Sequence, residues 1–430
     1  MTDSPALSKS VLWLLLSVLS AVSMAYYVNE IWSANQPPNF SDLYAPWWGA
    51  HELLLHRRNP YSPSVAHEIQ TVIYGAPVSP TPDDPLSIGG GFAYPPYAAL
   101  LLWPAVHVSF ASAQELFWCA SILLTLLSLG LWLRALRFRP PPLHCLTIAF
   151  FLLGSFPALQ AVRLQNLSLI AAAFIAITVF LLYFDRFIFA GIFLAASTFK
   201  PQFTLALIPW LAVWTIADWR RRRSMAWSFL ATMLLLVLVS EWLVPGWIPS
   251  FLNVVRAYRH YTYGHSLLDV WLTPAFGPTA SAVLLLAALV LCWPYRSDSA
   301  DSPRFLLATS LQLAVTVVVI PTLAPHAQLL LLPGFLCLLP TTPMPKPSNS
   351  LARVLPVAAW MLLAWPSVAA FGLLLAASRY PASMLRRFWQ IPLYPSPVLP
   401  LAVLLVLCFV VYVGAGRRHP DSLGSLPPRQ

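Results

Sequence analysis

Asp42 stands in Asn39-Phe40-Ser41-Asp42-Leu43-Tyr44, just past a first hydrophobic span, and is the first acidic residue after Glu30. A carboxylate placed there suits catalysis at the mouth of a membrane-embedded cavity, or Ser41 or Asp42 serves only as a helix N-cap. Lys200, in Thr198-Phe199-Lys200-Pro201-Gln202, lies between two apolar runs with no acidic neighbour in sequence. Ionisable groups in such positions are costly and mark function, and an ammonium is a compact point charge suited to phosphate. Gln202 offers an amide beside it, and the alternative for Lys200 is snorkelling to lipid headgroups.

Four further clusters carry polar chemistry. Arg163-Leu164-Gln165-Asn166 joins a guanidinium to two amides, a set that binds a phosphate or sugar hydroxyls. It equally suits a snorkelling arginine and a cap for the following helix. Arg256 and Arg259 are three apart, on one helical face, among Tyr258, Tyr261 and Tyr263. Such a group can hold a lipid phosphate and stack on a sugar, or simply form an interfacial belt. Phe92-Ala93-Tyr94-Pro95-Pro96-Tyr97 is a stiff lead into a helix that also places Tyr94. His326, in Pro325-His326-Ala327-Gln328, is a candidate for substrate contact or proton handling, against a purely structural histidine.

The elements that must position these residues follow from composition. The 430 residues are 58% hydrophobic and only 9% charged, with a mean hydropathy of +0.70. A soluble chain carries about 25% charged residues, so this is an all-α polytopic membrane protein. Apolar spans are expected at 11–29, 112–136, 143–158, 166–184, 187–199, 201–217, 226–245, 277–295, 304–322, 327–341, 352–377 and 397–415. Residues 11–28 also resemble a signal peptide, but a polytopic chain favours a retained first span. The segment 97–110 is short, carries Pro104 and reads as re-entrant or interfacial.

Charge sets the orientation. With the N-terminus inside, the inner segments hold 16 of the 25 Lys and Arg, among them Arg220 to Arg223. The positive-inside rule therefore gives about twelve transmembrane helices with both termini cytoplasmic. Every polar cluster above then falls on the outer face, which implies one outward-facing site. A single membrane domain is expected over 1–415, with a long first outer loop at 30–96 and a short disordered tail at 416–430. Within that loop Tyr44, Trp47, Trp48, His51, Leu54 and Leu55 line one face of a helix that Asn59-Pro60 ends. Its tryptophans suggest that it lies flat in the membrane interface.

Other function classes are disfavoured. There is no phosphate-binding loop, zinc-protease helix, serine elbow or dinucleotide fingerprint, which favours a donor already in the membrane. The formal charge of +10 is explained by span-flanking residues, so nucleic acid is not expected. Cys119, Cys145, Cys292, Cys337 and Cys408 lie in or beside apolar spans at no metal spacing, and Asp83-Asp84 lacks a third ligand. No metal or other cofactor is expected. A transporter or flippase is the alternative, although internal repeats are not visible and glycine is sparse, at 16 residues. A non-catalytic scaffold would not need Asp42 and Lys200 so placed.

The ordered set F-S-D-L-Y, R-N-P-Y, F-A-Y-P-P, R-L-Q-N and F-K-P-Q resembles glycosyltransferase family 87 over about residues 38 to 340. The resemblance implies a GT-C-type membrane enzyme that takes a hexose, notably mannose, from a polyprenyl-phosphate donor. The acceptor would be a glycan or glycolipid, in a cell (inner) membrane and on its extracytoplasmic side. It also implies that Asp42, which matches the family's first-loop aspartate, deprotonates the acceptor hydroxyl, with inversion at the sugar carbon. Enzymes of this type often set basic residues at the lipid phosphate. Lys200, Arg163, Arg256 and Arg259 are candidates by charge and placement. The chain departs from the family's G-Q-x-N, having Arg163 in place of the glycine, and apolar residues follow Gln328.

Overall fold

The computed structural model describes residues 4–36, 40–79, 81, 84–261, 264–321, 324–339 and 351–416. Expectations attached to Asn39, Asp83, Tyr263 and the tail at 417–430 lie outside these residues. Among the described residues every regular element is helical, as backbone in lipid requires.

Helix α1 (Ser4–Tyr26) continues through a wider turn, Tyr27–Trp32, into the first loop. That loop holds α2 (Tyr44–His56) and α3 (Pro63–Tyr74). Both ends of α3 are written in sequence: Ser62 Oγ accepts from Val65 N, Pro63 opens the first turn, and Gly75 closes the helix at φ 81°. A short α4 (Ala98–Leu101) follows, and then turns rather than a regular helix run to α5 (Phe110–Ala135).

Five helical stretches are long and apolar enough to cross a membrane: Lys9–Asn35, Phe110–Ala135, Trp219–Leu243, Gly277–Tyr295 and Pro356–Ala376. A sixth arises if α6 (Pro142–Leu153) and α7 (Phe156–Arg163) count as one span, bent by 61°. The other spans expected from sequence are apolar helices of 10–17 residues, short of the ~20 needed for a full crossing. They include α8 (Ser168–Tyr183), α9 (Phe187–Ser197) and α10 (Leu207–Ala217). Next come α11 (Trp219–Leu243), α12 (Trp247–Tyr261), α13 (Leu267–Leu272), α14 (Gly277–Cys292) and α15 (Pro303–Val319). The chain ends through α16 (Leu332–Cys337), α17 (Leu351–Ala376), α18 (Ala382–Leu385) and α19 (Leu399–Gly416).

The core is built on α15, buried from Phe305 to Val319, as a helix apolar on most sides must be. Of its polar side chains, Thr309 Oγ1 accepts from Trp210 Nε1 at 3.2 Å and Gln312 Nε2 donates to Ala288 O at 3.1 Å, while the buried Gln312 Oε1 has no hydrogen-bond partner among the described residues. By contrast α11 is largely exposed, with Trp227, Leu234 and Leu238 facing outward, as lipid contact requires.

The loops segregate. Tyr27 Oη donates to Trp389 O, Asp42 N to Leu164 O, Tyr97 Oη to Thr198 O and Gln328 Nε2 to Ser396 O. These bonds join the loops expected on the outer face. Those expected inside are joined separately: buried Arg222 donates to Trp214 O, Arg296 O and Asp298 O, and Arg221 pairs with Asp185 at 2.7 Å.

Candidate active site

Helix α2 begins at Tyr44 and ends at His56, before the expected stop at Asn59-Pro60, and Arg57 after it turns left-handed at φ 58°. Its first turn is not capped by Asp42. Ser41 Oγ accepts from Leu43 N at 3.2 Å, while the Asp42 carboxylate points elsewhere. The aromatic face of α2 is not an open interfacial face either. Trp47 is buried, donates to Ala105 O at 2.9 Å and packs on Phe110. The pattern announced an apolar face, but protein, not lipid, covers its middle.

Asp42 Oδ2 accepts from Asn166 Nδ2 at 2.6 Å. Asn166 Oδ1 accepts from Ser168 N at 2.8 Å, from Ser168 Oγ at 2.5 Å and from Lys200 Nζ at 2.7 Å. The backbone N–H of Ser168 can only donate, so Oδ1 must face it and Nδ2 is left for Asp42. Asn166 thus bonds the N–H of Ser168, the first residue of α8, and the Asp42 carboxylate at once, which agrees with its reading as a residue of the helix start. Lys200 Nζ also donates to Ser168 Oγ at 2.5 Å and lies 5.3 Å from the Phe203 ring centre. Lys200 is buried, whereas Asp42 as a residue is half-buried.

The backbone that presents Asn166 is held from several sides. Gln165 adopts φ 52°, its Nε2 donates to Arg163 O, and its Oε1 accepts from Ser41 Oγ at 2.8 Å and Gln114 Nε2 at 3.2 Å. Gln165 therefore ties the Asp42 segment to the turn after α7 and has its side chain committed to protein. On the far side, Tyr97 Oη donates to Thr198 O at 2.9 Å, two residues before Lys200. Tyr61 Oη donates to Tyr94 O at 2.6 Å, so the R-N-P-Y turn sets the backbone of Tyr94.

Burial pushes the Asp42 carboxyl above its ordinary range, with the Asn166 hydrogen bond and the Lys200 charge pulling the other way. Burial pushes the Lys200 ammonium, in the break between α9 and α10, down to about 7, and Asp42 opposes that shift. The Tyr94 phenol is raised by burial and by the nearby charges of Asp42 and Tyr258. His326 opens the 3₁₀ segment Pro325–Leu331 close enough to feel the Lys200 charge, and its buried Nδ1 has no hydrogen-bond partner among the described residues.

The remaining candidates lie apart from this network. Arg163 is exposed at the end of α7. Gln202 is half-buried in the 3₁₀ turn Pro201–Thr204. Arg256 and Arg259 are exposed on α12, bonded to Asn253 Oδ1 and Gly264 O. Arg256 lines a cleft of about 480 Å³ with Asp84, Asn253 and His260 instead. Ser168, which anchors both Asn166 and Lys200, was not singled out from sequence; the Asn-x-Ser pattern at a helix start was its signal.

Residues 92–321 match the model of glycosyltransferase family 87. That stretch contains Tyr94, Asn166, Ser168 and Lys200, and excludes Asp42 and His326. No curated protein and no solved structure matches the chain.

Proposed function

The chain belongs to glycosyltransferase family 87, and on that premise we propose that it moves a hexose, mannose foremost, from a polyprenyl-phosphate donor to a glycan or glycolipid hydroxyl. The membrane helices support a donor that arrives through the lipid. The proposed setting is the extracytoplasmic side of a cell (inner) membrane, in a GT-C-type domain.

In this reading Asp42 accepts the proton of the acceptor hydroxyl. The oxygen attacks the sugar C1 as the bond from C1 to the phosphate oxygen breaks. Polyprenyl phosphate leaves with that electron pair, and the configuration at C1 inverts. Lys200 has three N–H donors, of which two are held by Asn166 and Ser168; the third is available to the leaving phosphate. Asn166 fixes the Asp42 carboxylate, and a base must lie within about 3 Å of the proton it takes. Tyr94, His326 and the exposed Arg163, Arg256, Arg259 and Gln202 would contact the sugar, acceptor or lipid headgroup. No metal is assigned a role in the transfer.

The observation that carries this reading is the connected set Asp42–Asn166–Lys200, a half-buried aspartate beside a buried cation. Asp42→Asn tests it, because asparagine keeps the size of aspartate and an oxygen that can accept from Asn166 Nδ2, but cannot serve as a base. Turnover of a polyprenyl-phosphate sugar is expected to fall by about 10²–10⁴-fold, the usual cost of losing a general base, with thermal stability and donor binding retained. Turnover within a few-fold of wild type would remove Asp42 from the chemistry.

A further inference from the structure

Away from Asp42, two or three turns along α2, a second polar cluster closes on itself. His51 Nδ1 and His56 Nδ1 each lie 3.1 Å from the same oxygen, Glu52 Oε1. All three ligand-type atoms fall within 4.8 Å of one another. The Glu52 side chain is only 4% exposed, and His56 is 54% exposed at the end of the helix. We propose that His51, Glu52 and His56 form a zinc site that clips the end of α2, separate from the transfer site.

The geometry is close to what zinc needs. Bonds of about 2.0–2.2 Å in a tetrahedral site set ligand atoms about 3.3–3.6 Å apart. Both histidine–glutamate separations are already near that, and the exposed His56 ring has room to close the third edge. Two imidazole nitrogens and one carboxylate oxygen are a ligand set zinc accepts, with a fourth position left for water.

The surroundings prepare Glu52 for this role. Arg58 Nη1 donates to Glu52 Oε2 at 2.6 Å, which holds the carboxylate and leaves Oε1 to the histidines. Arg58 Nη2 donates to Glu68 Oε1 at 2.6 Å, and Trp48 Nε1 donates to Glu68 Oε2 at 2.9 Å. Two carboxylates against one guanidinium leave one negative charge when the imidazoles are neutral, which attracts a divalent cation. Outer partners that orient a ligand in this manner are a regular part of metal sites. The consequence is local: His56 is the last residue of α2, directly before the turn that carries Arg58 and Tyr61 toward Tyr94.

The test uses the full chain in detergent, purified through a tag without histidine and stripped with a chelator. Zinc chloride is titrated while zinc content and thermal stability are measured. Wild type is expected to take up one zinc per chain and to melt higher as the site fills, since a ligand of the native state stabilises it. His51→Ala and His56→Gln are each expected to bind at least tenfold more weakly, and the exposed position of His56 keeps its variant folded. Cobalt in place of zinc should give the absorption of a tetrahedral centre in wild type alone. Absence of stoichiometric zinc in wild type would overturn the proposal, and so would binding by either variant as tight as that of wild type.

Discussion

Lys200 is the residue whose role the surroundings constrain most. It is buried, 2.7 Å from Asn166 Oδ1, and its ammonium is pushed down to about 7 by loss of water. If the ammonium holds the donor phosphate, donor binding needs the protonated form. Donor KM is then expected to rise as pH is raised through about 7, because the positive charge is lost in that direction. Lys200→Arg keeps its charge and should flatten this profile, while Lys200→Ala should raise donor KM more than Lys200→Arg does. A Lys200→Ala variant with lowered kcat and unchanged donor KM would instead assign Lys200 to holding Asn166 and Asp42.

At the scale of elements, the placement of α2 decides where Asp42 stands. Gly49 lets the helix press onto Phe92: a Cβ there would lie 2.4 Å from Phe92 Cδ2 and 2.8 Å from Phe92 Cβ. Phe92 is fully buried and has little room to yield. Gly49→Ala is therefore expected to destabilise the fold by about 1–3 kcal/mol through overpacking. Gly130 in α5 is the control, since nothing lies within 4 Å of its Cβ position. Gly130→Ala should be neutral or stabilising by up to about 1 kcal/mol, from helix propensity alone. Equal melting temperatures for Gly49→Ala and wild type would contradict the close packing of α2 on Phe92.

For the whole molecule, sidedness is an electrostatic matter. The Arg220 to Arg223 run starts α11, and the loop that includes α12 follows its other end. Positive charge is retained in the cytoplasm, so the run is expected inside and α12 outside. An impermeant thiol reagent should label Ser250→Cys and spare Ser224→Cys in intact cells, measured against the five native cysteines. External labelling of Ser224→Cys would invert the proposed orientation and move the Asp42 site to the cytoplasm.

The sequence by itself determined the helical membrane class, because apolar composition and low charge leave backbone groups no other way to be satisfied. It also determined the family, through ordered motifs, and it made Asp42, Asn166 and Lys200 visible, because ionisable and amide groups stand out against apolar spans. Tertiary structure decided which of these meet. Asp42 and Asn166 are 124 residues apart in the chain and Asn166 and Lys200 are 34 apart, and no periodicity encodes such pairings. The same limit left Ser168 and the His51–Glu52–His56 cluster unseen, and left Arg256 and Arg259 with a phosphate role that their exposed positions do not by themselves support. It also misread the Trp47 face. Spacing tells that one side of a helix is apolar, but only the packed fold tells whether lipid or Phe110 covers it.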